Sequence, residues 1–104
     1  MKKPATIFAA LGDETRLRLV TRLSDGGALS IARLTEGRSM TRQAVTKHLH
    51  VLAGAGLARS SRSGRESVWL LEPDSLADAR RWLEGISAQW DAALGRLRDF
   101  VEAN

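Results

Sequence analysis

A chain of 104 residues with 43% hydrophobic and 27% charged content has the makeup of one soluble globular domain, large enough for a single modest core. It holds no cysteine, which excludes disulfides, thiolate metal sites and a cysteine nucleophile. The formal charge is +4 but unevenly spread: residues 1–72 carry 12 Lys/Arg against 6 Asp/Glu, whereas residues 73–104 carry 4 against 6. From Arg38 to Arg65, six basic residues and both histidines fall within 28 positions that contain no acid. A solvated surface normally mixes signs, so a one-signed stretch of this length points to a polyanionic partner. The apolar run from Ala5 to Leu11 is interrupted by Thr6 and too short for a signal peptide, and nowhere do 18 apolar residues run together. A cytoplasmic protein with no membrane partner is expected.

In chain order, Pro4 suits the first turn of a helix whose apolar residues Ile7, Phe8 and Leu11 end at Gly12. Asp13 is spaced to cap a second helix that turns Leu17, Val20 and Leu23 inward and stops at Gly26-Gly27. A short third helix from Ser30 puts Ile31 and Leu34 inward and ends at Gly37. Thr41 then caps a fourth helix of about four turns, with Met40 placed to staple against Val45 and with Val45, Leu49 and Leu52 as its inner face. Gly56 suits the left-handed residue that ends this helix, and Leu57 would close a Schellman contact back onto Leu52.

The stretch LARSSRSGRESVWLLE reads as a hairpin: Leu57, Val68 and Leu70 sit among β-compatible residues, Ser63-Gly64 makes the turn, and Arg59, Arg62 and Arg65 project from it. Pro73-Asp74-Ser75 opens a long last helix, with Ser75 and Asp78 spaced as a capping box. Its Leu76, Ala79, Leu83, Ile86, Trp90, Ala93, Leu97 and Phe100 alternate by three and four through three heptads. Gly85 and Gly95 each cost about 1 kcal/mol relative to alanine, so this helix is expected to bend or to lean on a partner. No repeat, low-complexity segment or interdomain linker is visible. The fold class expected is mainly α with a small β-hairpin wing: one winged helix-turn-helix domain over 1–104 with a long C-terminal dimerisation helix. Within it, 30–56 form the helix-turn-helix, 57–72 the wing, and 1–12 with 73–104 the dimerisation helices.

The outer face of the fourth helix carries Arg42, Gln43, Thr46, Lys47 and His50 and no acid. The second helix of a helix-turn-helix enters the major groove with its N-terminal residues against base edges. Arginine can bond guanine at two acceptors, glutamine can do the same with adenine, and threonine can donate, accept or touch a thymine methyl. Lys47 reaches either a base or a phosphate. Arg62 and Arg65 flank the glycine at the wing tip and suit phosphates or the minor groove. The expected double-stranded DNA contacts are therefore Thr41, Arg42, Gln43, Thr46, Lys47, His50, Arg62 and Arg65.

The segment TRQAVTKHLHVLAGAGLARSSRSGRESVWLL resembles the recognition helix and wing of the ArsR family of bacterial winged-helix repressors. The likeness rests on Thr41, Val45, Lys47-His48-Leu49, Leu52, Ala55-Gly56-Leu57 and Gly64-Arg65, and FAALGDETRLRLVTRL resembles the family's second-helix opening. It implies a homodimer that binds an inverted-repeat operator and represses transcription. The chain departs from the family where metal is sensed. SIARLTEG offers only Glu36 where many members carry a cysteine pair, and the last helix has no histidine. His48 and His50 point roughly 200° apart on one helix and cannot chelate together. A metal-independent branch is implied, so no metal or other cofactor is expected, and an effector, small molecule or protein, is left open.

His48 reads as a partly buried hydrogen-bonding residue, His50 as facing DNA or water, and Trp69 as packing within the wing. Trp82 and Trp90 read as interface area or as the lining of a ligand pocket between subunits. The apolar stripe is more than one small core can cover, which makes Ile7, Phe8, Leu11, Leu76, Ala79, Trp82, Leu83, Ile86, Trp90 and Leu97 the expected homodimer interface. An enzyme is not expected: no carboxylate pair, nucleophile–base arrangement or glycine-rich phosphate loop is present. The remaining alternative is a winged-helix protein-interaction module without DNA binding. Such a module would carry an apolar or acidic recognition face, whereas this one is basic.

Overall fold

Among the described residues, 3–103, the computed structural model runs α1 (Pro4–Leu11), α2 (Glu14–Gly26), β1 (Leu29–Ser30), α3 (Ile31–Thr35), α4 (Arg42–Gly54), β2 (Ala58–Ser63), β3 (Glu66–Leu71) and α5 (Pro73–Glu102). Three helices start on side-chain caps, each of which satisfies a backbone donor that the helix itself leaves unpaired. Asp13 accepts from the Arg16 N–H at 3.0 Å, Ser30 from Arg33 at 3.2 Å and Thr41 from Ala44 at 3.1 Å. The end of α4 is a full Schellman motif: Leu57 N–H donates to the Leu52 carbonyl and Gly56 N–H to that of Ala53, both at 2.9 Å. Gly56 sits at φ 76°, a conformation that a side chain would strain.

Leu34, Val45, Leu49, Leu52 and Leu57 are buried from the helix-turn-helix side, and Ile7, Leu19, Leu23 and Trp69 close over them from α1, α2 and the sheet. Leu17 is not among them; it lies half exposed while Leu19 is fully buried. The inward phase of α2 runs through 16, 19, 20 and 23, with the partly buried Arg16 and the buried Leu19 in place of the expected Leu17.

The wing differs from a simple hairpin. β3 is the centre of a three-stranded antiparallel sheet in the order β1-β3-β2, because Leu29 and Ser30 pair with Trp69 and Val68. Two residues are too few to show a strand period in sequence. The inward face of β3 is marked by Trp69, buried as its expected packing role requires, while Val68 and Leu70 on either side of it are half buried. The turn is also shifted by one: Ser63 pairs with Glu66, so the two-residue loop is Gly64-Arg65. Only Gly64 has positive φ, at 65°, the pattern of a type II′ turn.

α5 starts one turn earlier than the expected capping box. Pro73 occupies its first turn, Glu72 precedes it without a side-chain cap, and Asp78 pairs instead with Arg81. The helix runs unbroken through Gly85 and Gly95, and a Cβ added at either would meet nothing within 4 Å. Beyond Ala79 no α5 residue is buried, and the helix projects far enough to give the chain extents of 67 × 30 × 21 Å.

Candidate nucleic-acid interface

The position of α4 is set from behind by a polar strut. Arg16 Nε donates to the Ala10 carbonyl at 2.6 Å, and its terminal NH1 lies 3.3 Å from His48 Nδ1 on α4. Asp13 Oδ2, already capping α2, stands 3.8 Å from the same ring nitrogen. One arginine thus ties the end of α1, the start of α2 and the middle of α4. A neutral His48 that accepts this bond carries its proton on Nε2. The backbone N–H of Arg16 holds the Asp13 carboxyl below its ordinary 3.8; partial desolvation opposes this and the Arg16 charge adds to it. A lowered folded-state pKa means that the cap's contribution is complete above the unfolded value. It is lost only as pH falls through the lower folded value.

With its inner face fixed, α4 presents Arg42, Gln43 and Lys47 outward, their side chains exposed and without hydrogen bonds or ion pairs among the described residues. Together with Thr46 and Ile31 of α3 they line an open groove beside the helix start. Thr46 differs from expectation: its hydroxyl donates to the Arg42 carbonyl at 2.7 Å. That proton is held by the helix, so the residue offers a methyl group and oxygen lone pairs to a ligand. Ile31, expected inward, is only half buried and supplies an apolar edge to the groove. Thr41 is the helix cap, with its oxygen engaged by Ala44 N–H. His50 is exposed, and its ring meets Trp69 of β3 edge-on at 5.6 Å, which links the far end of this face to the wing. Arg62 lies on β2 and Arg65 at the loop, both exposed. Arg59 is held at the base by an ion pair with Glu72 whose alignment falls short of a hydrogen bond.

A second exposed feature lies along α5. Leu83, Trp90, Leu94, Leu97, Phe100 and Val101 are all more than half exposed, with Trp90 and Phe100 at 68%. Trp82 leans on Phe8 of α1 with ring centroids 5.9 Å apart. Two residues expected on a dimer surface lie inside the chain's own core instead: Ile7 is 2% and Ala79 7% exposed. Ile7 is on the inner side of α1 in the core, and Ala79 faces the domain before α5 leaves it. Leu11, Leu76 and Ile86 are half buried.

Known proteins match this arrangement. A helix-turn-helix domain family matches residues 11–61. The uncharacterised HTH-type transcriptional regulator YuzN of Bacillus subtilis is 39% identical over 75% of this chain and 92% of its own. The HTH-type transcriptional regulator Rv2034 of Mycobacterium tuberculosis is 34% identical over 98% of this chain and 92% of its own. Among solved structures, an ArsR-like transcriptional regulator from Rhodococcus sp. RHA1 superimposes with a TM-score of 0.75 at 36% identity, covering 93% of this chain and 91% of that one. The chain belongs to the ArsR family of winged helix-turn-helix transcriptional regulators.

As an ArsR-family regulator it is a DNA-binding protein. Among its described residues no three of His, Cys, Asp and Glu converge as a metal site would require, and no helix is long and apolar enough to cross a membrane. Two features of this family member were not read from its sequence as parts of the site. Arg16 sits in an expected helix face as a basic residue out of place among leucines, the one local signal of its buried role. Ile31 gave no signal, since its exposure is set by how α3 meets α4.

Proposed function

We propose that this chain is a repressor that binds an inverted-repeat operator as a two-fold homodimer in the cytoplasm, without catalysis of its own. The observation that carries the reading is the unpaired, acid-free face of α4, where Arg42, Gln43 and Lys47 stand exposed beside an open groove. In this reading Arg42 and Gln43 contact base edges, the Thr46 methyl packs against thymine, and Lys47 takes a base or a phosphate. Thr41 and His50 border the contact, while Arg62 and Arg65 hold the backbone or minor groove beside it.

The dimer reading rests on the uncovered apolar face of α5 with Phe8 and Leu11, a patch of a kind that soluble monomers avoid. Leu76, Trp82, Leu83, Ile86, Trp90 and Leu97 form that interface, extended by Leu94, Phe100 and Val101. Ile7 and Ala79 support it from within. Two-fold pairing sets the recognition helices about 34 Å apart, one turn of DNA.

The division of labour is testable by equilibrium binding to a matched set of duplexes. Gln43→Ala is expected to relax preference at one base position, costing about 1–3 kcal/mol on the preferred duplex alone. Arg65→Ala is expected to weaken every duplex nearly equally and to flatten the salt dependence. Indistinguishable sequence profiles for the two variants would contradict the assignment.

A further inference from the structure

Beside α4, a second groove opens between α2 and the α3–α4 turn, lined by Thr15, Arg18 and Arg22 on one wall and by Glu36, Arg38 and Ser39 on the other. Positions 15, 18 and 22 recur at helical spacing, so α2 turns one face into it. Arg22 is fastened across the groove, its NH2 donating to the Arg33 carbonyl at 3.0 Å. Arg18 stands exposed at the rim, paired with Glu14 by a surface contact of the kind that contributes little and leaves the guanidinium available. Glu36, the one acid in the lining, is 3.4 Å from Arg33. Arg38 is half buried, and its Nε is fully enclosed with no hydrogen-bond partner among the described residues. A cationic group enclosed with one donor unpaired is costly, and an anion held against its more exposed end at the groove would offset that charge.

We propose that this groove is a phosphate clamp, in which Arg18, Arg22 and Arg38 hold a backbone phosphate of the DNA flanking the bases read by α4. Three observations select this partner. The groove is open, with no enclosed apolar wall to hold the body of a small ligand. Its guanidinium groups, one of them held by Arg22's bond to the Arg33 carbonyl, suit phosphate oxygens. Arg38 also begins the acid-free stretch and lies three residues before the α4 cap, a span of at most about 11 Å. The clamp orients the duplex without reading sequence, and so differs in kind from Gln43. It rests on α4 being the base-reading helix.

The test is fluorescence anisotropy over a range of KCl concentrations, with a duplex selected by the wild-type chain and a scrambled duplex. The variants are Arg38→Gln, Arg38→Lys and Arg18→Gln, each checked for folding by circular dichroism; Arg18 is exposed, so its variant keeps the test valid if Arg38→Gln fails to fold. The glutamine variants are expected to bind both duplexes several-fold more weakly with unchanged base preference. The slope of log K against log salt should become shallower by about 0.9 for each phosphate that the variant no longer neutralises. Arg38→Lys should restore part of the affinity. Folded variants with wild-type affinity and slope would overturn the clamp while leaving the role of α4 intact. Saturable binding of inorganic phosphate, lost in Arg38→Gln with the DNA slope unchanged, would also overturn it and make the groove a small-anion site. A wild-type chain that bound neither duplex would overturn the clamp and the reading of α4 together.

Discussion

Ile86→Asp, or Leu83→Asp, is expected to abolish operator binding although neither residue lies near α4. Leu83 is 52% exposed and Ile86 half buried in the single chain, on the face that also carries Trp90, Leu94 and Leu97. In a two-fold pair each substitution places two carboxylates in an apolar contact, one from each protomer. An unpaired buried charge costs several kcal/mol even after relaxation. A loss of about 4 kcal/mol or more in pairing weakens assembly roughly a thousandfold. Without pairing, each recognition helix binds one half-site alone. Sedimentation is expected to show an 11.4 kDa species for the variant and twice that mass for the wild type. A well-folded wild-type monomer at micromolar concentration that still binds operator tightly would contradict the dimer.

Leu52→Ala acts through the fold instead. Leu52 has no exposed surface, and its carbonyl accepts the Leu57 N–H that ends α4. Removing its side chain leaves a cavity under the recognition helix and under the start of the wing, at a cost of about 2–5 kcal/mol. Against a total stability of about 5–15 kcal/mol for a domain, and towards the low end for a chain this small, that is a large fraction. Urea denaturation at fixed protein concentration is the measurement, since pairing makes stability concentration-dependent. The midpoint is expected to fall sharply with DNA binding lost in parallel. A change below about 1 kcal/mol would mean that the site collapses around the missing group, contrary to the packing described.

The helix-turn-helix was legible because its signals are local. Asp13, Ser30 and Thr41 each stand where a cap must be, and Gly56 with Leu57 spells out a Schellman end that the structure forms bond for bond. The polar face of α4 was equally plain, since helical spacing alone separates it from Val45, Leu49 and Leu52. What was misread depended on partners distant in the chain. β1 exists only because Leu29 and Ser30 meet Trp69 and Val68 some forty residues on. The turn was misplaced by one residue because Ser63-Gly64 and Gly64-Arg65 both suit a two-residue loop, and the pairing of Ser63 with Glu66 decides between them. Leu17 was placed inward for a related reason: the inner phase is shared by Leu19 and by Arg16, which is drawn inward by Ala10 and His48, acceptors that no window on α2 contains. The heptads of α5 hid the fact that one stripe serves two surfaces, with Ala79 in the chain's own core and Trp90 outside it.

The central claim is that two copies of this chain read DNA through paired α4 helices, and selection from a random pool of duplexes tests it most directly. The result predicted is an inverted repeat whose half-sites are centred about 10 base pairs apart, matching recognition helices one turn of DNA from each other. Enrichment of no sequence, or of a single unrepeated half-site bound by one chain, would contradict it.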